Sequence, residues 1–170
     1  MSSRAHTLGE VFTADREVTA MLDLIPGITS DLDATLLEPS CGTGNFLVEA
    51  LRRKLAPHVP TGEYTVLRAL ASLSGIDIDR SNVETTRTRM LETAQAAIRG
   101  GNPSHAFLRA ADAILSSQIV CGDFLAPHQV VLARHSPGPK QAFTRSWWRL
   151  TDTAPYAIDP PVSYRDLAVL

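Results

Sequence analysis

The chain has 170 residues, of which 44% are hydrophobic and 20% charged, and its formal net charge is −2. A chain of this length forms one domain and buries roughly 70% of the surface that it exposes when unfolded. Because no apolar run approaches the roughly 20 residues that cross a bilayer and no signal-peptide core is present, we expect a cytoplasmic protein without a membrane partner. The two cysteines give no disulfide framework and lack zinc-site spacing, so no metal site is predicted.

The charge balance argues against a protein that grips duplex DNA alone, since such a protein usually presents a basic face. Basic residues cluster at positions 52–54, 87–89 and 145–149. The first two clusters lie in helical patterns and are predicted to be solvated helix faces.

The first predicted element is a helix that follows residues 9–13 (GEVFT). Apolar residues recur at helical spacing over positions 18–25. Thr13 is a suitable N-cap, and Asp15 suits the first turn of a helix.

The second predicted unit is a strand, a tight loop and a helix over residues 35–47 (TLLEPSCGTGNFL). The apolar run stops at Glu38, passes through the turn that contains Gly42 and Gly44, and enters an amphipathic helical pattern. Open α/β sheets use this order to bring backbone close to an adenosine-type cofactor. Glycines remove Cβ atoms where ligand and chain nearly touch, and the new helix offers free N–H groups.

Two further strands end in acidic turns. Residues 73–79 (LSGIDID) form a strand that stops at Asp77, and Asp79 caps the helix that follows. A carboxylate at the end of the second strand holds ribose hydroxyls in Rossmann-like folds. Residues 119–125 (IVCGDFL) form a third strand followed by a Gly-Asp-Phe turn.

In this order and wording, the four segments resemble motifs X, I, II and III of the N6-adenine DNA methyltransferases, in particular the modification subunits of type I and type IIG systems. The resemblance covers residues 8–125 and implies S-adenosylmethionine as the cofactor. It implies these cofactor-binding residues: Phe12, Thr13, Glu38, Pro39, Cys41, Gly42, Gly44, Asp77, Ile78, Asp123 and Phe124.

The same resemblance assigns roles to several of these side chains. Residues 12–13 close over the methionine end of the cofactor. Asp77 binds the ribose, and Ile78 packs on one face of the adenine. Asp123 accepts a hydrogen bond from the adenine amino group, and Phe124 borders the adenine ring.

The family's catalytic motif IV, a polar residue followed by Pro-Pro-aromatic, meets the flipped target base. Residues 136–139 (SPGP) keep a polar residue and a proline but lose the second proline and the ring. Asp159, Pro160 and Pro161 restore the Asp-Pro-Pro core but are followed by valine, and Tyr164 is the nearest ring. We take Asp159, Pro160 and Pro161 as the catalytic candidates, while the first alternative stays open.

The implied fold is α/β, a Rossmann-like class I methyltransferase three-layer sandwich with the motif X helix ahead of its first strand. Strand 4 is expected at residues 130–133, which gives an incomplete, mostly parallel sheet of order 3-2-1-4. We divide the chain into a cofactor-binding methyltransferase domain (1–133) and an irregular segment rich in proline and tryptophan (134–170). That segment is expected to act as a lid or to bind a partner.

The predicted function is that of an S-adenosylmethionine-dependent N6-adenine DNA methyltransferase of a restriction–modification system, present as its cofactor-binding portion. The expected partners are DNA, engaged together with a second subunit, and another copy, a specificity subunit or the remaining methylase portion. Because an unpaired strand edge invites pairing, association is expected through residues 130–150. Two alternatives stay open: an inactive cofactor-binding scaffold, and a methyltransferase that acts on a substrate other than DNA.

Overall fold

The structure, a computed structural model, describes residues 13–59 and 61–169. Its helices are α1 (Asp15–Asp23), α2 (Pro26–Ser30), α3 (Asn45–Leu55), α4 (Glu63–Ala71), α5 (Arg80–Ala96) and α6 (His105–Gln118). Its strands are β1 (Leu36–Glu38), β2 (Leu73–Asp77), β3 (Ile119–Cys121), β4 (Val131–Pro137), β5 (Ala142–Arg149), β6 (Ala157–Ile158) and β7 (Val162–Ser163). Short 3₁₀ segments cover Ala56–His58, Pro127–Gln129, Pro139–Gln141 and Tyr164–Val169.

The first three strands form a parallel sheet with β2 in the middle. Leu36 lies opposite Leu73, and Gly75 lies opposite Ile119. Four of the five residues of β2 are buried, which requires cover on both faces of the sheet. The contacts of α3 with α5, and of α4 with α6, supply two helix pairs. The chain is therefore a mixed α/β protein with a parallel sheet, consistent with a methyltransferase-like fold.

The helix boundaries follow local sequence signals. The side chain of Asp79 accepts a hydrogen bond from the Ser81 N–H at 2.8 Å, so the predicted cap of α5 is confirmed. The predicted cap of α1 is wrong, because Ala14 is the N-cap and no side chain caps that helix. None of the described helices combines the length and the apolar composition that a bilayer crossing requires.

The predicted strand order 3-2-1-4 is wrong at its last position. β4 does not join β1 but pairs with β5 along its whole length, from Val131 opposite Arg149 to Pro137 opposite Phe143. β6 and β7 both pair with β5 and complete a second, antiparallel sheet. Closing the short turn at residues 138–141 costs little conformational entropy. Pairing of β4 with β5 is therefore favoured over pairing of β4 with the distant edge of β1.

The segment predicted to be irregular is therefore ordered, and the proposed division at residue 133 falls inside β4. The segment is anchored by a cluster of rings. The Tyr64 ring lies 5.3 Å from Phe143 and 6.1 Å from Tyr164, measured between centroids. The Tyr64 hydroxyl lies 3.0 Å from the Gly138 carbonyl oxygen. These contacts bind the second sheet to α4, so residues 134–169 pack on the first sheet's helices.

Lys54 contradicts the predicted solvated face at residues 52–54, since its side chain is fully buried. Its Nζ donates to the carbonyl oxygens of Asp31 and Ala34, the latter at 2.7 Å. Burial lowers the pKa of Lys54 to about 8, against the opposing effect of the Asp31 and Asp33 charges. The buried ammonium therefore holds the turn that leads into β1.

Candidate cofactor site

The loop between β1 and α3 depends on two glycines with positive φ, Gly42 at 51° and Gly44 at 87°. A Cβ on Gly44 would lie 2.8 Å from the Cγ2 atom of Thr86, so no other residue fits without displacement. The Thr86 hydroxyl donates to the Gly42 carbonyl at 2.9 Å. The loop is therefore held against α5 by the hydrogen bond to Gly42 and by the close packing of Gly44 on Thr86.

Asp77 ties three loops together at the carboxyl end of the parallel sheet. Its Oδ2 accepts from the Gly42 N–H at 2.8 Å, and its Oδ1 accepts from the Asp79 N–H at 2.9 Å. The side-chain amide of Asn82 also donates to Oδ1 at 3.2 Å. The main-chain oxygen of Asp77 accepts from the Gly122 N–H at 2.9 Å. The segments after β1, β2 and β3 therefore converge on this residue.

This arrangement gives Asp77 a positioning role beyond the predicted ribose contact. A carboxylate has about four acceptor positions, and the hydrogen bonds described above use three of them. One position on Oδ2 remains for a ligand hydroxyl. The ribose contact stays a prediction, and Asp77 is well placed for it at the end of β2.

A cavity of about 80 Å³ lies beside the loop after β1. It is lined by Thr13, Glu38, Ser40, Cys41, Gly42, Thr43, Asn45 and Phe46. Pockets for whole drug-sized ligands measure roughly 300–1,000 Å³, so this cavity suits one end of an elongated molecule. The cavity contains four of the predicted cofactor residues, namely Thr13, Glu38, Cys41 and Gly42.

The segment before α1 and the end of β1 both line this cavity. The main-chain oxygen of Thr13 accepts from the Asn45 side-chain amide at 3.1 Å, which places the start of α1 against the start of α3. Burial raises the pKa of Glu38, while a backbone hydrogen bond from Ser40 acts in the opposite direction. Phe12, the other predicted residue of this segment, lies outside the described residues.

Two apolar side chains in the turns after β2 and β3 are exposed to solvent. Ile78 is 58% exposed and Phe124 is 43% exposed. Asp123 lies next to them in a turn in which its Oδ1 accepts from the Leu125 N–H at 2.8 Å. Exposed apolar groups next to an unburied carboxylate suit a flat ring with an amino substituent.

The two cysteines differ in their environments. Cys41 is buried, and desolvation together with the nearby Asp77 charge raises its pKa to about 12. Its side chain packs on β2, because a Cβ on Gly75 would lie 3.2 Å from the Cys41 Sγ. Cys121, by contrast, is exposed. In the described residues, no group of three or more His, Cys, Asp or Glu side chains could hold a metal ion.

The predicted catalytic residues lie in the connection between β6 and β7, beside the second sheet. Asp159 Oδ2 accepts from the Arg145 Nε at 2.6 Å and from the Trp147 Nε1 at 3.2 Å. The Arg145 hydrogen bond lowers the pKa of Asp159. Pro160 and Pro161 are exposed beside it. These contacts belong to β5 and not to the loops around Asp77, so the catalytic assignment stays a prediction without support from the geometry.

The other motif IV features are also engaged elsewhere. Tyr164 is buried, and its hydroxyl donates to the Glu63 Oε2 at 3.1 Å, so its ring is not available to a base. Residues 136–139 form the end of β4 and the start of the turn to β5, where the Gly138 carbonyl accepts from Tyr64.

Two arginines that hold the site were missed, since residues 87–89 were predicted to be a solvated face. Arg89 Nη1 donates to the Thr43 main-chain oxygen and to the Asn45 Oδ1, the latter at 2.8 Å. Arg87 Nε donates to the Ile119 main-chain oxygen at 2.9 Å, and burial lowers its pKa. Both bonds reach across at least 32 residues, and no local pattern in the sequence signals them.

Comparison with known proteins gives one informative similarity. No family model and no solved structure matches the chain. A Type II methyltransferase, M.VspI, from Vibrio sp. (strain 343) is 34% identical to the chain over 88 residues. The matched region is 51% of this chain and 18% of that protein, so the chain spans less than a fifth of the relative's length. The chain is thus a partial homologue of a Type II methyltransferase, which supports a DNA methyltransferase family.

Proposed function

We propose that the chain is the cofactor-binding portion of an S-adenosylmethionine-dependent DNA methyltransferase that acts on the N6 amino group of adenine. The observation that carries the cofactor assignment is the convergence of three loops on Asp77. Gly42, Asp79 and Gly122 each donate a backbone N–H to this residue. In open α/β sheets, ligands bind outside the carboxyl ends of the strands, which is where these loops meet.

The residues present fit the two ends of such a cofactor. The cavity beside Glu38 and the backbone at Gly42 suit the methionine end, because a half-buried carboxylate complements a cationic amino group. The open surface at Ile78 and Phe124 suits the adenine ring, with the Asp123 carboxylate as an acceptor for its amino group. When bound, S-adenosylmethionine supplies a methyl group on a positively charged sulfonium.

The choice of DNA adenine as the substrate rests on the wording of the four motifs and on the similarity to a Type II methyltransferase. In this chemistry the protein contributes mainly by holding the acceptor nitrogen in line with the methyl group. Such positioning supplies several kcal/mol of the barrier reduction in well-oriented systems. The chain's described residues bring no polar-Pro-Pro-aromatic element to the Asp77 loops.

The cofactor assignment is tested by calorimetry with S-adenosylhomocysteine and with its 2′-deoxy analogue. Wild-type protein is expected to bind the parent compound and to bind the analogue about tenfold more weakly. The reason is that the buried Asp77 carboxylate loses the ligand hydroxyl that donates to it. Removing the hydroxyl from the ligand avoids Asp77→Ala, which would also release Gly42 and Asp79. Equal affinity for the two ligands would remove the ribose role from Asp77.

The adenine surface is tested with a matched pair of exposed side chains. Phe124→Ala is expected to weaken binding by about tenfold, because a stacked ring is lost. Leu125→Ala is the control, since Leu125 is the next residue and is 91% exposed. Wild-type protein that binds no S-adenosylhomocysteine would overturn the proposal, and equal affinity for the two variants would remove Phe124 from the site.

A second candidate function is a cofactor-binding subunit that transfers no methyl group. It is favoured by the engagement of Asp159 with Arg145 and by the burial of Tyr164. Transfer of a tritiated methyl group to duplex DNA separates the two functions, with the remaining methylase portion supplied or omitted. We expect little transfer by this chain alone and restored transfer with the second portion. Absence of transfer in both cases would favour the subunit without activity.

A further inference from the structure

A groove of about 240 Å³ runs between the free edge of β1 and the second sheet. Its walls include Thr35 and Leu37 on one side and Leu132, Arg134, Trp148 and Arg149 on the other. β1 is an edge strand of the parallel sheet, with β2 on its other side. The groove follows β1 from Thr35 to Leu37 and reaches Ser72, the residue before β2, so it lies along the β1 edge toward the amino ends of these two strands.

The strand edge itself offers polar groups to the groove. The Leu36 N–H donates to the Ser72 main-chain oxygen at 2.9 Å, toward β2. Backbone groups alternate in direction along a strand of a parallel sheet, so the N–H and C=O of Leu37 point toward the groove. Among residues 13–59 and 61–169, these two groups have no hydrogen-bond partner, and they lie beside a mostly apolar wall.

The wall of the groove opposite β1 belongs to a basic segment, although the net charge of the whole chain is negative. Residues 131–150 carry four basic side chains and no acidic one, in a chain whose net charge is −2. Asp159 neutralises Arg145 at 2.6 Å. In the described part of the chain, no carboxylate forms an ion pair with Arg134 or Arg149. Arg134 lies on the same face of the hairpin as Leu132 and Trp148, so its charge faces the groove.

Aromatic surface accompanies this charge. Trp148 lies opposite Leu132 in the hairpin, and its Nε1 donates to the Ser146 Oγ at 3.0 Å, which orients the indole. Arg149 stacks over the Tyr156 ring at 5.1 Å. Asp152 also lines the groove, and its Oδ2 is bonded to the backbone N–H of Arg149 at 3.2 Å.

We propose that this groove binds an unpaired stretch of DNA, with Trp148 against a base and Arg134 against the phosphates. Proteins that hold single strands combine a positive groove with aromatic side chains on which bases stack. The identification of the strand as DNA rests on the proposed function. An added β-strand from another polypeptide is the competing occupant of the β1 edge, but it would not explain an arginine without an ion-pair partner beside an indole.

The experiment measures fluorescence anisotropy of a labelled oligonucleotide of about 16 nucleotides over a range of about 50–200 mM salt. Wild-type protein is expected to bind. Trp148→Ala is expected to weaken binding about tenfold, and Trp148→Phe, which keeps a ring and preserves folding, to retain most of it. Arg134→Gln is expected to lower the slope of log affinity against log salt by about 0.7.

Arg52→Gln is the matched control, since Arg52 is an exposed arginine on α3 outside the groove. Binding of Trp148→Ala and Arg134→Gln equal to that of Arg52→Gln would overturn the proposal. So would a dimer, seen by light scattering, that both groove variants abolish and that the oligonucleotide does not displace. Calorimetry with S-adenosylhomocysteine on the same variants keeps the two proposals separate, because the groove variants are expected to bind it normally.

Discussion

Lys54 offers a test of how this fold is held together, because its ammonium group is fully buried next to the turn before β1. The side chain donates to two main-chain oxygens, those of Asp31 and Ala34. A neutral amine keeps two N–H donors, so it satisfies both carbonyls without the desolvation cost of a charge. Folding therefore shifts the protonation equilibrium of Lys54 toward the neutral amine.

The size of the effect follows from the pKa. Burial lowers the pKa of Lys54 from 10.5 to about 8 in the folded protein. Between these values the unfolded chain binds more protons than the folded one, so the free energy of unfolding rises with pH. At about 1.4 kcal/mol per pH unit, the full increase is about 3 kcal/mol, and below pH 8 the cost of burying the charge is constant.

Urea unfolding at several pH values between about 7 and about 10 measures this contribution, with Lys54→Met as the variant. Other groups titrate in this range, so the informative quantity is the difference in unfolding free energy between wild type and variant. We expect that difference to shift by about 3 kcal/mol in favour of the wild type across the range. Lys140→Met is the control, since Lys140 is exposed. A difference that stays constant with pH, as in the control, would refute the assignment of a lowered pKa to Lys54.

Two other predictions concern the loop after β1. Gly44→Ala is expected to destabilise the protein by about 2 kcal/mol or more, through a positive φ and contact with Thr86, whereas Gly27→Ala, with open space around its Cβ, changes the melting temperature little. Iodoacetamide is expected to modify the exposed Cys121 in native protein and to modify Cys41 only after unfolding, because burial raises the pKa of Cys41 to about 12. Mass spectrometry that finds Cys41 modified first would contradict the burial of that thiol.

Local rules were sufficient for the parallel sheet and its loops. The alternation of apolar runs with acidic turns predicted strands that stop at Glu38 and Asp77 and a third strand before Asp123, and the strands of the first sheet end at Glu38, Asp77 and Cys121. The capping of α5 by Asp79 was readable for the same reason. Helix periods, caps and positive-φ glycines act within a few residues, so they are visible in the order of the residues.

The roles of the basic and aromatic side chains were not readable in this way. Arg89 bonds to a loop 44 residues away, and Tyr164 bonds to a side chain 101 residues away. Lys54 looked like its exposed neighbours until the carbonyl groups of the turn before β1 were placed around it. Such contacts depend on which elements pack together. Arginine, lysine and tyrosine side chains occur both on solvated faces and in buried, hydrogen-bonded positions.

The amino-acid sequence by itself determined two strand–loop–helix units, the third strand with its turn, and the residues that surround Asp77, because local conformational preferences specify them. The tertiary structure alone decided that Asp77 would tie the loops together and that residues 131–137 would pair with β5 and leave the edge of β1 open. The residues of a strand indicate that it pairs with another strand, but they do not specify which strand that is. The choice is made by the loop-closure entropy and by the packing of the whole chain.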